Sequence, residues 1–475
     1  MQWRTSQRIK AGIAFVHSQR ATLVLWTVVG LSAPLSVKLY LPGIGTEVIF
    51  PAEPLVAFAS AWMILQLATQ GHIPWAMLRR PVALLGMAWL LIHAFAAGMS
   101  HLPLVSWKAA IVQAIYVSTF LLLPLLTGQV QRLFGTAGKY DLAFLLVAGW
   151  TVMNQSLTGF DRSGANYASF PFYIDHTIFS AALTFVLIRQ FTRTHGVIID
   201  GGPISRKVLM VLLTVAYMLL LLISFSRGAW VGVLVALSVA LLFRVGVSWK
   251  YPAVAALIGG SILFIERAPL LERMQGHGVV SQEPGAGPVA TARSTLNVTT
   301  DASNRDRLLR WAAAWRMFLA EPWSGHGPGS YQFVHEDHLT ASERARSHSM
   351  GVVPDHRTKP AWRLGDSIWM RDTAEASPSS GGSAHSEYLL SLSENGLLGG
   401  LWWLLVVVLI LRSAQRLFAL HPKGLPWGAH HAAAIAIMAY LVHGLFNNFL
   451  DDVKIAHLFW PALLGILEGH QREMP

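Results

Sequence analysis

His385-Ser386 is followed after nine residues by Gly396-Leu397-Leu398-Gly399, where a polar stretch gives way to a strongly apolar run. This arrangement seats one histidine at the rim of a membrane-embedded helix. A neutral imidazole, with a reference pKa of about 6.5, accepts a proton at working pH. A base at a membrane surface suits chemistry on a lipid-borne substrate. Glu387 is near enough in sequence to orient the imidazole, although residues two apart at a helix start point to different sides. Three further places set permanent cations beside apolar runs. Arg227 lies in Ser224-Phe225-Ser226-Arg227-Gly228-Ala229-Trp230, Arg162 in Phe160-Asp161-Arg162-Ser163-Gly164, and Arg305, Arg307 and Arg310 lie just before Trp311. A guanidinium presents a fork of donors that matches phosphate oxygens. Each feature also has a plainer explanation. His385 is one of 19 histidines. Arg227 at the end of a span can snorkel to lipid headgroups, and Asp161 can neutralise Arg162. The arginines at 305–310 fit the solvated face of an interfacial helix. Gly396 and Gly399 can simply let helices pack closely.

The short motifs resemble those of the O-antigen ligase and polymerase family. His385-Ser386-Glu387-Tyr388-Leu389-Leu390, with Ser393-Glu394-Asn395-Gly396-Leu397-Leu398-Gly399, resembles the signature of bacterial O-antigen ligases. Phe225-Ser226-Arg227-Gly228-Ala229-Trp230 resembles a second family motif. Arg307-x-x-Arg310-Trp311, followed by Pro322-Trp323-Ser324-Gly325-His326-Gly327-Pro328-Gly329, resembles the segment that precedes the histidine. The loop around Arg162 is loosely similar to a family arginine loop. Where relatives show Pro-Asn ahead of the next span, this chain has Asp175-His176. The Gly-x-Gly-x-Gly string lacks the strand–turn–helix context of a phosphate loop. The resemblance runs roughly from residue 157 to the C-terminus. It implies a donor sugar chain on undecaprenyl diphosphate and an acceptor sugar on the lipid A-core.

Composition agrees with a membrane setting. Apolar residues are 53% of the 475, charged residues 13%, and the mean hydropathy is +0.46. A soluble globular chain is about 25% charged. With no cysteine, disulfides, zinc-thiolate sites and cysteine nucleophiles are excluded. The net charge of +11 follows loop topology, so no nucleic-acid partner is expected. Apolar runs near the length that spans a bilayer cover residues 21–38, 50–69, 82–99, 107–126, 141–157, 174–190, 208–225, 228–243, 251–265, 397–411, 431–446 and 455–467. The expected fold is therefore all-α and polytopic, with about twelve transmembrane helices and one large loop containing short helices. Residues 1–265 and 396–475 form the helical regions, and residues 266–395 form the loop. The 18 tryptophans fit interfacial belts.

Every second loop is basic. Arg4, Arg8, Lys10 and Arg20 precede the first span. Arg79-Arg80, Arg132 with Lys139, Arg193 with Arg206-Lys207, Arg244 with Lys250, and Arg412 with Arg416 and Lys423 follow. The positive-inside rule places both termini in the cytoplasm. Residues 1–20 then read as a cytoplasmic tail rather than a signal peptide. Residues 157–173, the turn 224–227 and the loop 266–395 fall on the opposite face, the periplasm of a Gram-negative cell. Within that loop, residues 267–302 and 377–383 have the composition of flexible connectors. Residues 304–320 form an amphipathic helix, with Leu308, Trp311, Ala312, Trp315, Phe318 and Leu319 on one face and Ser303 with Asp306 as its capping box. Asp337, His338, His348, Asp355 and His356 match no zinc spacing, and no metal or other cofactor is expected.

These features point to a multi-pass glycosyltransferase of the inner membrane, working on lipid substrates at the periplasmic face. His385 is the expected base. Arg227, with Arg162 or Arg307 and Arg310, holds the donor diphosphate. Glu387, Tyr388, Gly396 and Gly399 support the site. The basic residues Arg344, Arg346, Arg357, Lys359, Arg363 and Arg371 are placed to meet anionic groups of the acceptor core. O-antigen polymerase and protein O-oligosaccharyltransferase share the donor-handling parts and remain alternatives. A secondary transporter, from another class, predicts inverted repeats and ionisable residues in mid-membrane. The sequence shows neither.

Overall fold

The computed structural model describes residues 14–41, 46–255, 258–259, 302–350, 382–422 and 424–469. Helices lie over the expected apolar runs: α1 Gln19–Leu35, α2 Ala52–Gln70, α3 Pro81–Met99, α4 Pro103–Leu126, α5 Val130–Ser156, α6 His176–Ile199, α7 Ile204–Ile223 and α8 Arg227–Arg244. After these come α9 Ala302–Ala320, α10 Ala341–Met350, α11 Glu387–Leu420, α12 Ala429–His443 and α13 Val453–Gly469. Six of them, α2, α3, α4, α7, α8 and α11, are long and apolar enough to cross a membrane. A short antiparallel hairpin, β1 Val37–Leu41 and β2 Thr46–Phe50, joins α1 to α2. Of the run at 251–265, only the start and residues 258–259 are described. The basic tail at Arg4, Arg8 and Lys10, the connector at 267–301, and Asp355, His356, Arg357, Lys359, Arg363 and Arg371 lie outside the described residues.

Successive helices run antiparallel, which separates two ends of the bundle. At one end Arg80 pairs with Glu468, Arg244 donates to the carbonyls of Phe418 and Pro422, and the Trp427 amide donates to His195. At the other end the Ala52 amide donates to Ser36, Ser100 to the His326 carbonyl, and the Glu387 amide to the Gly444 carbonyl. The sequence placed Lys139 and Arg193 in basic loops, and the structure corrects this. Lys139 lies within α5 and Arg193 within α6. Arg193 joins Arg189 on the buried Asp141 carboxylate, at 2.7 Å for Arg193, so a loop charge is drawn into a helix by its partner.

Helices α12 and α13 form the middle of the bundle and are buried along almost their whole length. Outer helices such as α7 expose Leu209, Leu212 and Leu219, as expected of a surface that faces hydrocarbon. Small residues set the central crossing. A Cβ on Gly232 would meet the Ala439 carbonyl at 2.6 Å, so only glycine lets α8 lie this close to α12. His93 and His457 are buried inside the bundle, His457 at 2.8 Å from the Thr136 hydroxyl. The sequence shows no ionisable residues in mid-membrane, and these two histidines correct that reading. A single histidine in a long apolar run does not disturb its hydropathy, which is why these two were not seen.

Candidate active site

The turn between α7 and α8 aims the first arginine. Phe225 adopts a left-handed φ of 54°, and Trp230 donates from its indole to the Leu221 carbonyl at 2.6 Å. Such a φ is strained for a bulky residue and persists only when its surroundings enforce it. Arg227 therefore opens α8, and its Nη2 donates to the Asn304 side chain at 3.3 Å. Gly228 lets α8 approach α12, because a Cβ there would sit 2.6 Å from the His443 ring. His443 is buried and lies 3.3 Å from the Ser226 hydroxyl.

Helix α9 brings the next group. Arg307 donates to the Phe446 carbonyl at 3.2 Å. Arg162 sits on a one-turn helix, Arg162–Ala165, capped by Asp161, whose carboxylate accepts from the Gly164 amide at 2.7 Å. Asp161 thus has a capping role that the sequence did not suggest. Asp175 caps α6 in the same way, accepting from the amides of Thr177 and Ile178. This sets His176 on the first turn, within electrostatic reach of Arg162, Arg227 and Arg307. Three arginines from distant parts of the sequence thus converge on one histidine. Its Nδ1 is buried without a hydrogen-bond partner among the described residues. His176 and His443 were not among the sequence candidates. The only signal was the replacement of Pro-Asn by Asp175-His176.

His385 lies within electrostatic reach of part of this group. Arg307 acts electrostatically on both His385 and His176, and Asp175 also reaches both. The His385 side chain is 34% exposed, with Nε2 3.7 Å from Asp306. Crowding by protein and the nearby Arg310 cation hold its imidazole below the ordinary value of 6.5. It is therefore neutral at working pH and able to accept a proton. Its backbone φ is 48°, a left-handed conformation at a residue that is not glycine. The Trp311 indole donates to its carbonyl at 3.3 Å and fixes that turn.

Glu387 does not face the imidazole. Its carboxylate accepts from the Tyr440 hydroxyl and from the amides of Phe449, at 2.6 Å, and Leu450, at 3.0 Å. It ties the start of α11 to the loop between α12 and α13. Tyr388 does similar work, donating to the Leu441 carbonyl at 2.7 Å. Arg310 is also engaged away from the three-arginine group, with Asp306 at 2.9 Å and the Ser383 carbonyl at 3.3 Å. Helix α9 begins at Ala302, the Ser303 side chain of the expected capping box lies outside the described residues, and the Asp306 carboxylate is turned to Arg310 and His385. The buried face of α9 includes Leu308 and Ala312 as expected but extends round the helix to Arg305, Leu309, Ala313 and Met317, while Leu319 is exposed.

Gly396 is a break inside α11, with φ 64° and ψ −158°. That combination is essentially restricted to glycine. The Pro322–Gly329 stretch fills the break. The His326 and Gly327 amides donate to the carbonyls of Ser393 and Glu394, and the Leu397 amide donates to the Pro322 carbonyl. Gly325, Gly327 and Gly329 all have positive φ, so this glycine string serves a backbone clamp. Gly399 packs one turn on, where a Cβ would sit 2.5 Å from the Ser391 hydroxyl. Gly396→Ala would place a Cβ 2.5 Å from the Trp323 carbonyl oxygen and add about 1–3 kcal/mol of backbone strain. We expect this variant to unfold at a lower temperature in detergent and to lose the alignment of His385. An unchanged Tm would contradict the clamp.

Residues 209–352 match the family model described as O-antigen ligase. This stretch, under half of the chain, resembles the O-antigen ligase family. The matched region contains Arg227, Arg307, Arg310 and the Gly325–Gly329 clamp, and it ends before His385. No curated protein matches the chain. Of the candidate metal ligands, His338 packs its ring 5.1 Å from His326, and its carbonyl accepts from Arg316 at 2.9 Å.

Proposed function

We propose that the protein transfers an O-antigen chain from undecaprenyl diphosphate to a sugar hydroxyl of lipid A-core, with inversion at the anomeric carbon. What supports this reading is a neutral histidine with three arginines at the same end of the bundle, Arg307 acting electrostatically on both His385 and His176. The acceptor oxygen attacks the anomeric carbon while His385 takes its proton. The bond from that carbon to the diphosphate oxygen breaks, and its electron pair leaves with the diphosphate. Arg162, Arg227 and Arg307 stabilise the charge that develops there, a kind of term that is often the largest in catalysis. No nucleotide or metal enters the scheme. Purified protein, lipid-linked oligosaccharide and lipid A-core should together yield glycosylated core. Lengthening of the lipid-linked chain in the absence of core would instead make the protein a polymerase.

The scheme requires the His385 end of the bundle to face the periplasm. Ser342 and Asp200 are both exposed and lie at opposite ends. In this cysteine-free chain, single Ser342→Cys and Asp200→Cys variants should label differently with an impermeant thiol reagent in cells with a permeabilised outer membrane. We expect labelling at 342 alone. Labelling of both positions would contradict the arrangement.

A further inference from the structure

Three carboxylates approach His385 in sequence or space, and they differ in what they already hold. Glu387 is spent on Tyr440 and two amides. Asp175 is spent on the cap of α6, accepting from the Thr177 amide and hydroxyl and from the Ile178 amide. Asp306 alone stands against the imidazole, 3.7 Å from Nε2. A closed bracket holds it there. Arg310 Nε donates to Asp306 at 2.9 Å, Arg310 Nη1 donates to the Ser383 carbonyl at 3.3 Å, and the Ser383 hydroxyl accepts from the His385 amide at 3.3 Å. The bracket is tight: a Cβ on Gly382 would lie 2.1 Å from Arg310 Nη1. It also embraces the left-handed turn at His385, a conformation that needs enforcement from its surroundings.

We propose that Asp306 is a positioning residue for His385: it holds the proton of the neutral imidazole on Nε2 and leaves the Nδ1 lone pair to receive the acceptor proton. This rests on the transfer reaction proposed above. A carboxylate beside one ring nitrogen selects the tautomer with the proton on that nitrogen. When Nδ1 takes the acceptor proton, the ring becomes a cation and Asp306 offsets its charge. The long separation in the resting state is ordinary for such pairs, which tighten when the substrate is bound. The proton on Nδ1 then passes to water after the product leaves, and the Nε2 proton stays in place throughout. Arg310 fixes the carboxylate and opposes it electrically. The charged groups facing the ring are Asp306, Arg307 and Arg310 from α9 and Asp175 from the cap of α6.

The two sides of the bracket have opposite signs, and this gives the test. Loss of the Asp306 charge should lower the pKa of His385, and loss of the Arg310 charge should raise it. Asp306→Asn should lower kcat by about 10- to 100-fold, the scale typical when a partner that orients a working histidine is lost. The KM for the donor should be unchanged, and Asp306→Glu should restore part of the rate. The acid limb of the rate profile should move down in Asp306→Asn and up in Arg310→Gln. The same shifts should appear without substrate, in the pH dependence of His385 modification by diethyl pyrocarbonate, followed by mass spectrometry. Opposite shifts in the two variants would support the pairing, because a merely structural loss does not change sign. A modification profile identical in wild type and Asp306→Asn would overturn it, whatever the reaction. If the profiles shift while the wild-type protein transfers no glycan, the transfer reaction falls and the base role falls with it.

Discussion

His385→Ala is expected to slow glycan transfer by about 10²- to 10⁴-fold, the usual contribution of a positioned base. The donor should still bind, because its diphosphate is assigned to Arg162, Arg227 and Arg307, which approach from other segments. The imidazole is held below its ordinary value by crowding and by the Arg310 cation. The sign of the pH effect follows. The neutral ring is the working form, so the wild-type rate should be flat through neutral pH and fall only in acid, below the range of a free histidine. Single-turnover transfer with radiolabelled lipid-linked donor, measured across pH for wild type and variant, checks both points. Near-normal turnover in a purified, folded His385→Ala protein would remove the base from the scheme. Loss of donor affinity with unchanged turnover would make His385 a binding residue instead.

Arg227→Ala should cost about 10²- to 10³-fold in kcat/KM, comparable to removing one donor from a preorganised anion site. The convergence of Arg162, Arg227 and Arg307 on His176 gives this magnitude its physical basis. Guanidinium groups that reach one point from several segments suit a bound diphosphate, whose charge they offset. Arg227→Lys should recover little, because an ammonium has no fork and cannot both meet the diphosphate and keep the contact to Asn304. Transfer rates at saturating acceptor, with undecaprenyl diphosphate as a competing ligand, separate binding from turnover. A lysine variant with full activity would reduce Arg227 to a generic charge. An alanine variant with full activity would exclude it from the site.

Much of the helical layout was legible because hydropathy is a local property. The runs around α2, α3, α7 and α8 could be bounded to within a few residues. The short motifs also marked Arg162, Arg227, Arg307 and His385, which the fold brings to one end of the bundle. What the sequence could not show depends on pairing across distance. The carboxylate facing His385 comes from α9, some eighty positions away, and not from its near neighbour Glu387. Arg310 carried the same motif as Arg307, yet its guanidinium braces the histidine loop. The Gly325–Gly329 string lacks the context of a phosphate loop, and only the break at Gly396 reveals what it holds. His443 lies inside an apolar run, where nothing local distinguishes a site histidine from a packed one, and His176 was marked only by the Asp175-His176 departure.

The central claim is a direct displacement, with a base on the acceptor side and cations on the leaving diphosphate. The stereochemistry of the product tests it most directly. Purified protein should be given a lipid-linked glycan of defined anomeric configuration together with lipid A-core, and the new linkage assigned by NMR. The account predicts the opposite anomer to that of the donor. A product that retains the donor configuration would require a covalent glycosyl-protein intermediate, and the roles assigned to His385 and the arginines would be wrong.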